Sequence, residues 1–163
     1  MDGKLRNMTS LYLVREGEIL CLLRRGSRVA NNKYIGSCGG HFEKEELNDA
    51  RACILREMEE ELGLTADDVV DMQLRYITHR LKNGEIRQNY YFFGRLCQDK
   101  PLSSNEGVLK WIPLADIPAL DMPVSAKHMI LHYLNVGRLD RALYAGITEE
   151  NGTTFTVMKE FEG

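Results

Sequence analysis

Residues 56–64, REMEEELGL, constrain the fold more than any other stretch, because they describe one helix together with the point at which it must stop. At about 100° per residue, Ile54, Leu55, Met58 and Leu62 fall on one arc and form an apolar stripe, while Ala52 and Glu59 face water on the opposite side. Gly63 suits the left-handed position that closes a helix, with Leu64 turned back toward Met58, and Asn48 is a good N-cap for its start. Most of the remaining chain reads as strands. Residues 8–14 and 18–24 flank an Arg-Glu-Gly turn, and residues 72–81 and 86–97 flank Asn83-Gly84, a strong hairpin signal. Residues 109–112 read as another strand, helical spacing returns over 125–135, and residues 141–148 and 153–161 around Asn151-Gly152 predict a C-terminal hairpin.

The same helix carries a chemical signal. Glu57, Glu60 and Glu61 stand at i, i+3 and i+4, so their carboxylates project as neighbours near the helix C-terminus, where the macrodipole opposes negative charge by about 0.3–1 kcal/mol each. Something positive should offset them. Gly39-Gly40-His41-Phe42-Glu43 follows the strand-like residues 34–38, and adjacent glycines let the backbone approach another group closely. A glycine loop opposite a carboxylate cluster suits a metal-bound phosphate, and oxygen ligands favour Mg²⁺ or Mn²⁺.

Residues 40–64 resemble the signature of the Nudix hydrolases, G-x5-E-x7-R-E-U-x-E-E-x-G-U with U aliphatic. Gly40 and Glu46 match its opening, and Arg56, Glu57, Met58, Glu60, Glu61, Gly63 and Leu64 match its close. Nine residues, 47–55, separate Glu46 from Arg56 where the pattern has seven, so either the loop is two residues longer or Asn48 fills the first acidic slot. The resemblance implies an α/β/α sandwich around a mixed curved sheet in a single domain over residues 1–163, with residues 141–163 as a hairpin appendage. It also implies that water attacks a phosphorus of a nucleoside diphosphate linked to a further group X, assisted by Mg²⁺ or Mn²⁺. By the same resemblance Glu60 and Glu61 are metal ligands, Glu57 is a ligand or the general base, and Arg56 orients Glu57. The Gly39 carbonyl is a further ligand, and Glu106, in SSNEGVLKW, is the nearest candidate for a carboxylate from a later loop.

Composition agrees with an enzyme domain of this kind. A chain of 163 residues with 44% hydrophobic content can bury one sizeable core, and a net charge of −3 argues against an extended nucleic-acid partner. Cys21, Cys38, Cys53 and Cys97 lack C-x-x-C spacing and sit in apolar segments, which predicts reduced thiols in a cytoplasmic protein. The sequence holds no long apolar run, so no membrane association is expected.

Substrate contacts are drawn from the neighbourhood of the glycines. Gly40, Arg25, Asn32, Lys33 and Tyr91 are the candidates, with Arg24 and Arg28 bracketing the same loop as further phosphate partners. Tyr91 belongs to the run Tyr90-Tyr91-Phe92-Phe93, whose alternate rings must face opposite sides of a strand. His128 and His132 share a helix face at i and i+4 without the partners of a zinc site. The reading is a Mg²⁺-dependent, MutT-like pyrophosphohydrolase acting on a small nucleotide, with oxidised nucleoside triphosphates among the candidates. Its rivals are an enzyme similar to isopentenyl diphosphate isomerase, using Cys38, and a Nudix module that binds a nucleotide without turnover. The C-terminal hairpin is a candidate dimer contact.

Overall fold

Alternation along the first strand sets the architecture. In β1 (Lys4–Arg15), Leu11 and Leu13 enter one apolar cluster and Tyr12 and Val14 another, so the strand is covered on both faces. The computed structural model describes residues 1–26 and 31–163, which leaves Arg28 outside the described residues. β1 and β2 (Glu18–Arg24) form the first expected hairpin, and β5 (Val69–Lys82) and β6 (Glu85–Leu96) the second. Asn83 and Gly84 both take positive φ in the turn between β5 and β6, as a two-residue hairpin requires. β3 (Tyr34–Ile35), β4 (Cys38–His41), β7 (Gly107–Pro113), β8 (Leu143–Glu149) and β9 (Gly152–Met158) complete a mixed sheet. Its order is β3-β2-β1-β6-β5-β8-β9, with β4 also on β1 and β7 on β2; β1/β6 and β5/β8 run parallel.

The two helices cover opposite faces of this sheet, giving the α/β/α sandwich. α1 (Ala50–Leu62) packs Ile54, Met58 and Leu62 against Leu11, Leu13, Leu20 and Phe92. α2 (Val124–Asn135) packs Ala126, Met129 and Ile130 against Tyr12, Tyr76 and Phe93. Ile54 and Met58 are fully buried, and each contributes about 1.5–3 kcal/mol of transfer free energy.

Two expectations are revised. Asp49, not Asn48, caps α1, its carboxylate accepting the Ala52 N–H at 3.0 Å, because it is the residue directly before the first turn. Gly39 and Gly40 lie within β4, paired with Ser10 and Thr9 of β1, and not in a loop beyond a strand end. The expected C-terminal hairpin forms: β8 pairs with β9 and lies parallel to β5, which widens the sheet, and the turn is Glu150-Asn151 with Gly152 opening β9. Phe155 of β9 packs its ring on Tyr76 and His132, which ties the hairpin to both β5 and α2.

Candidate active site

The end of α1 is fixed from both sides. Gly63 adopts φ 66°, its N–H bonds the Glu59 carbonyl at 2.9 Å, and the Leu64 N–H reaches back to Met58 at 3.5 Å. That closure leaves the last two turns of α1 facing β4, and the glycines there allow contact at backbone range. A Cβ on Gly40 would overlap the Glu57 carboxylate, and a Cβ on Gly39, at φ 153°, would overlap the Thr9 carbonyl. The Gly39 N–H donates to Glu61 Oε2 at 3.0 Å.

Arg56 supplies the positive charge that the acidic triplet demands. Its guanidinium donates to both Glu46 carboxylate oxygens, at 2.5 and 3.1 Å, to Glu57 at 2.9 Å, to Glu60 at 3.1 Å and to the His41 carbonyl at 3.1 Å. The first acidic partner is thus Glu46, 6% exposed, while Asn48 stays at the surface. The extra residues fall after Glu46, where Leu47–Asp49 leads into α1, and the 3₁₀ turn before them, Lys44–Glu46, has a capping box that bonds the Glu43 N–H to Glu46 at 2.9 Å. Hydrogen bonding to Arg56 holds the Glu46 carboxyl down at about 2.

The other acids are pushed the opposite way. Burial, reinforced by Glu106 and Glu57, raises the Glu61 carboxyl to about 7 against the bond from Gly39. Burial also raises Glu57, with Arg56 opposing and Glu60 and Glu106 adding. Glu106 stands directly before β7, its carboxylate 4.0 Å from the Arg24 guanidinium, and adds to the upward shift of both acids. Charge is under-compensated around Glu57, Glu61 and Glu106, and the donors are all carboxylate oxygens, a set that fits a hard divalent cation such as Mg²⁺ or Mn²⁺. Among the described residues, no three acidic, histidine or cysteine side chains converge on one point as they stand, since Arg56 holds both Glu57 and Glu60.

The NUDIX domain model matches residues 4–133. The chain belongs to the Nudix family. Membership makes it a hydrolase of diphosphate bonds. Its fold is similar to that of the mutator MutT protein from Bacillus halodurans, at TM-score 0.64 and 20% identity, covering 93% of this chain and 97% of that one. The MutT protein from Methanosarcina mazei Go1 aligns at TM-score 0.66 and 18% identity over 86% and 99% of the two chains. A NUDIX hydrolase from Nitrosomonas europaea aligns at 0.68 and 14% identity over 91% and 81%. No curated protein matches the chain.

The other sequence candidates divide. Arg25 and Glu106 meet through the backbone, the Arg25 N–H donating to the Glu106 carbonyl at 3.0 Å. Arg24 bridges to Asn32 and Lys33 through the backbone, its N–H donating to the Lys33 carbonyl at 3.0 Å and its carbonyl accepting from the Asn32 N–H at 2.8 Å. Tyr91 does not join them. Its ring is 3% exposed in the α2-side core, 6.4 Å from Tyr12, because its position on β6 faces the covered side of the sheet; the half-buried ring on the α1 side is Tyr90, against Phe42. Cys38 is also 3% exposed and burial pushes its thiol well up, which removes the accessible cysteine that an isomerase chemistry would use. His128 bonds Thr153 at 2.9 Å and His132 bonds Tyr76 at 2.8 Å, so neither is a metal ligand with the other.

Sequence reasoning missed two supports. Asp121, in the loop before α2, pairs with Lys33 at 3.3 Å and accepts the Tyr34 N–H at 2.8 Å. Thr9, 1% exposed, lies under Gly40 with its hydroxyl 3.3 Å from Cys53 Sγ. No local pattern marks these residues, whose partners are 88 and 44 positions away. A cleft of about 270 Å³ lies on the opposite, α2 side, lined in part by Arg75, Arg95, Arg138 and Arg141, and shares no residue with the acids.

Proposed function

We propose that this Nudix hydrolase is a Mg²⁺-dependent pyrophosphohydrolase of small nucleotides, cleaving the phosphoanhydride of a nucleoside triphosphate, oxidised ones included. The observation that carries the reading is the pair Glu57 and Glu61 held against the Gly39-Gly40 backbone, with Glu61 raised to about 7. Carboxylates kept together at such cost favour a ligand that brings positive charge. Bound there, a divalent ion polarises phosphate oxygens and makes water acidic near neutral pH.

The chain's own residues do the rest. Glu60, Glu61, Glu57, Glu106 and the Gly39 carbonyl would hold the ion. Glu57, oriented by Arg56 and raised by burial, is suited to accept the proton of the attacking water. The new oxygen–phosphorus bond forms as the bridging oxygen leaves with the departing phosphate. Gly40 lets the Glu57 carboxylate sit against the β4 backbone where any side chain would displace it, and Arg25, Asn32 and Lys33 are the candidates to contact the nucleoside.

The test is release of phosphate or pyrophosphate from a panel of canonical and oxidised nucleoside triphosphates, dinucleoside polyphosphates and nucleotide sugars, with Mg²⁺ and with chelator. Expected is metal-dependent turnover of the triphosphates that falls by about 10²-fold or more in Glu60→Gln and Glu61→Gln. Undiminished turnover in both variants, or in chelator, overturns the assignment.

A further inference from the structure

β5 is irregular in its first half. Its register on β6 slips twice, between Val70 and Gln73 and between Leu74 and Tyr76, so Asp71 and Arg75 fall where the ladder skips. Such bulges bend a strand and re-aim its side chains. Asp71 takes φ 55°, a left-handed value that Asp and Asn tolerate better than other side chains. Arg75 and Tyr76 are adjacent in sequence yet both reach the α2 side, where regular alternation would separate them. Arg75 and Asp71 thereby line the cleft of about 270 Å³, together with Tyr133 of α2.

Charge in this cleft does not balance. Arg75, Arg95, Arg138 and Arg141 face only two acids, Asp71 and Asp140, in a chain whose net charge is −3. Both acids are already engaged, Asp71 by Arg141 at 2.6 and 3.2 Å and Asp140 by Arg75 at 3.1 Å. Arg95 and Arg138 form no ion pair among the described residues, and Arg138 bonds the Leu134 carbonyl at 2.7 Å. Arg75 is 7% exposed and donates to the Gly137 and Ala142 carbonyls, yet its Nη1 has no hydrogen-bond partner among the described residues. A buried guanidinium with an unused donor is costly until an acceptor arrives.

The surplus of positive charge matches one doubly charged oxyanion. A phosphate ester carries about −1.5 to −2 at neutral pH, and guanidinium forks fit its oxygens. Beside the arginines, the rings of Phe93 and Tyr133 stack with centroids 4.0 Å apart and offer an apolar wall to whatever group the phosphate bears. The volume lies near the lower end of the range for ligand pockets, roughly 300–1,000 Å³, which suits a small molecule.

We propose that this arginine cleft is a second binding site, for a phosphate dianion that is free or carried as a small monoester, separate from the Nudix acids. Arg95, Arg138 and the open edge of Arg75 take the oxygens, while Asp71 holds Arg141 aside. The site shares no residue with Glu57, Glu60, Glu61 or Glu106 and lies on the other side of the sheet, so it is independent of the hydrolase reading.

Calorimetric titration of inorganic phosphate and of ribose phosphate, in chelator, into the wild type and four variants tests it. Arg95→Gln/Arg138→Gln should weaken binding roughly tenfold or more, and Arg95→Lys/Arg138→Lys should keep most of it. Asp71→Asn should bind several-fold more tightly, since it removes a competing charge, releases Arg141 and keeps a side chain suited to φ 55°. Glu61→Gln should bind as the wild type does. Tighter binding of the ribose ester assigns the cleft to a monoester, and equal or weaker binding assigns it to free phosphate; both support the site. No binding to the wild type, equal binding in the wild type and the glutamine variant, or loss of binding in Glu61→Gln overturns the proposal. So does an Asp71→Asn protein that melts with the wild type and gains no affinity, because the arginines would then only brace the fold.

Discussion

Glu61 should make the metal-free protein lose stability as pH rises through the range where most carboxylates have long been ionised. Burial raises its carboxyl from 4.5 to about 7, so between these values the folded chain holds a proton that the unfolded chain has released. The folded state binds more protons there, and stability must fall with rising pH: the penalty is absent below about 4.5, grows across the interval and is complete above about 7. The full displacement corresponds to about 3 kcal/mol, and because the carboxylate keeps part of its contact with water, about 1–2 kcal/mol is the expected size. For a domain of this length that is a Tm decrease of about 3–6 °C. The assay is thermal unfolding in chelator at pH 5 and pH 8, for the wild type and Glu61→Gln. Because Gln does not titrate, the difference between the proteins isolates this group from Glu57 and from His41 and His132, which burial shifts downward. Adding Mg²⁺ at pH 8 should recover the wild-type loss and leave Glu61→Gln nearly unchanged. Identical pH dependence in the two proteins would refute the argument that Glu61 is an ionisation-strained ligand.

Further outcomes follow from the same geometry. Gly40→Ala should drive the Glu57 carboxylate from its seat and cut kcat by about 10²-fold with little change in Tm; steady-state kinetics beside thermal melts check this. Arg56→Ala leaves Glu46 uncompensated at 8% side-chain exposure and should cost about 2–3 kcal/mol by urea unfolding, whereas Asn48→Ala should change stability by less than about 0.5 kcal/mol. Tyr91→Phe should keep KM constant, and Tyr91→Ala should lower stability by about 3–5 kcal/mol; a tenfold KM change in Tyr91→Phe would bring that ring back to the substrate.

Legibility in the sequence tracked the range of the interactions involved. The α1 stripe, the Gly63 stop, the Asn83-Gly84 hairpin and the α2 boundaries depend on neighbours a few residues apart, and each was readable to within a residue or two. The two-sided burial of β6 was readable as alternation, but not which side the nucleotide would approach, so Tyr91 was assigned to the substrate while its ring fills the α2-side core. The parallel docking of β8 on β5 was invisible for the same reason: the hairpin declares its own turn, but its partner lies some 68 positions earlier, as the Tyr76–Tyr144 pairing shows. Asp121 and Thr9 sit at the site only because the sheet order brings them there.

The departure from the family spacing shows what the signature physically requires. Two additional residues separate Glu46 from Arg56, yet Glu46 meets Arg56 with both carboxylate oxygens. Leu47–Asp49, ending in the Asp49 cap, leads from Glu46 into α1, so added length there lies outside the helix and leaves its phase to the core contacts. Rotation is the variable that matters, because it decides whether Met58 enters the core while Glu57 and Glu61 face Gly39 and Gly40. Insertion before the cap is therefore tolerated, whereas one residue added between Asp49 and Gly63 would turn the acids by about 100° away from β4. An Ala inserted after Ala52 should abolish turnover and destabilise the domain together, while an Ala inserted after Leu47 should leave both nearly intact. Kinetics and melts on the pair distinguish the cases, and equal damage from the two insertions would show that chain length, and not helix phase, sets the geometry of the acids.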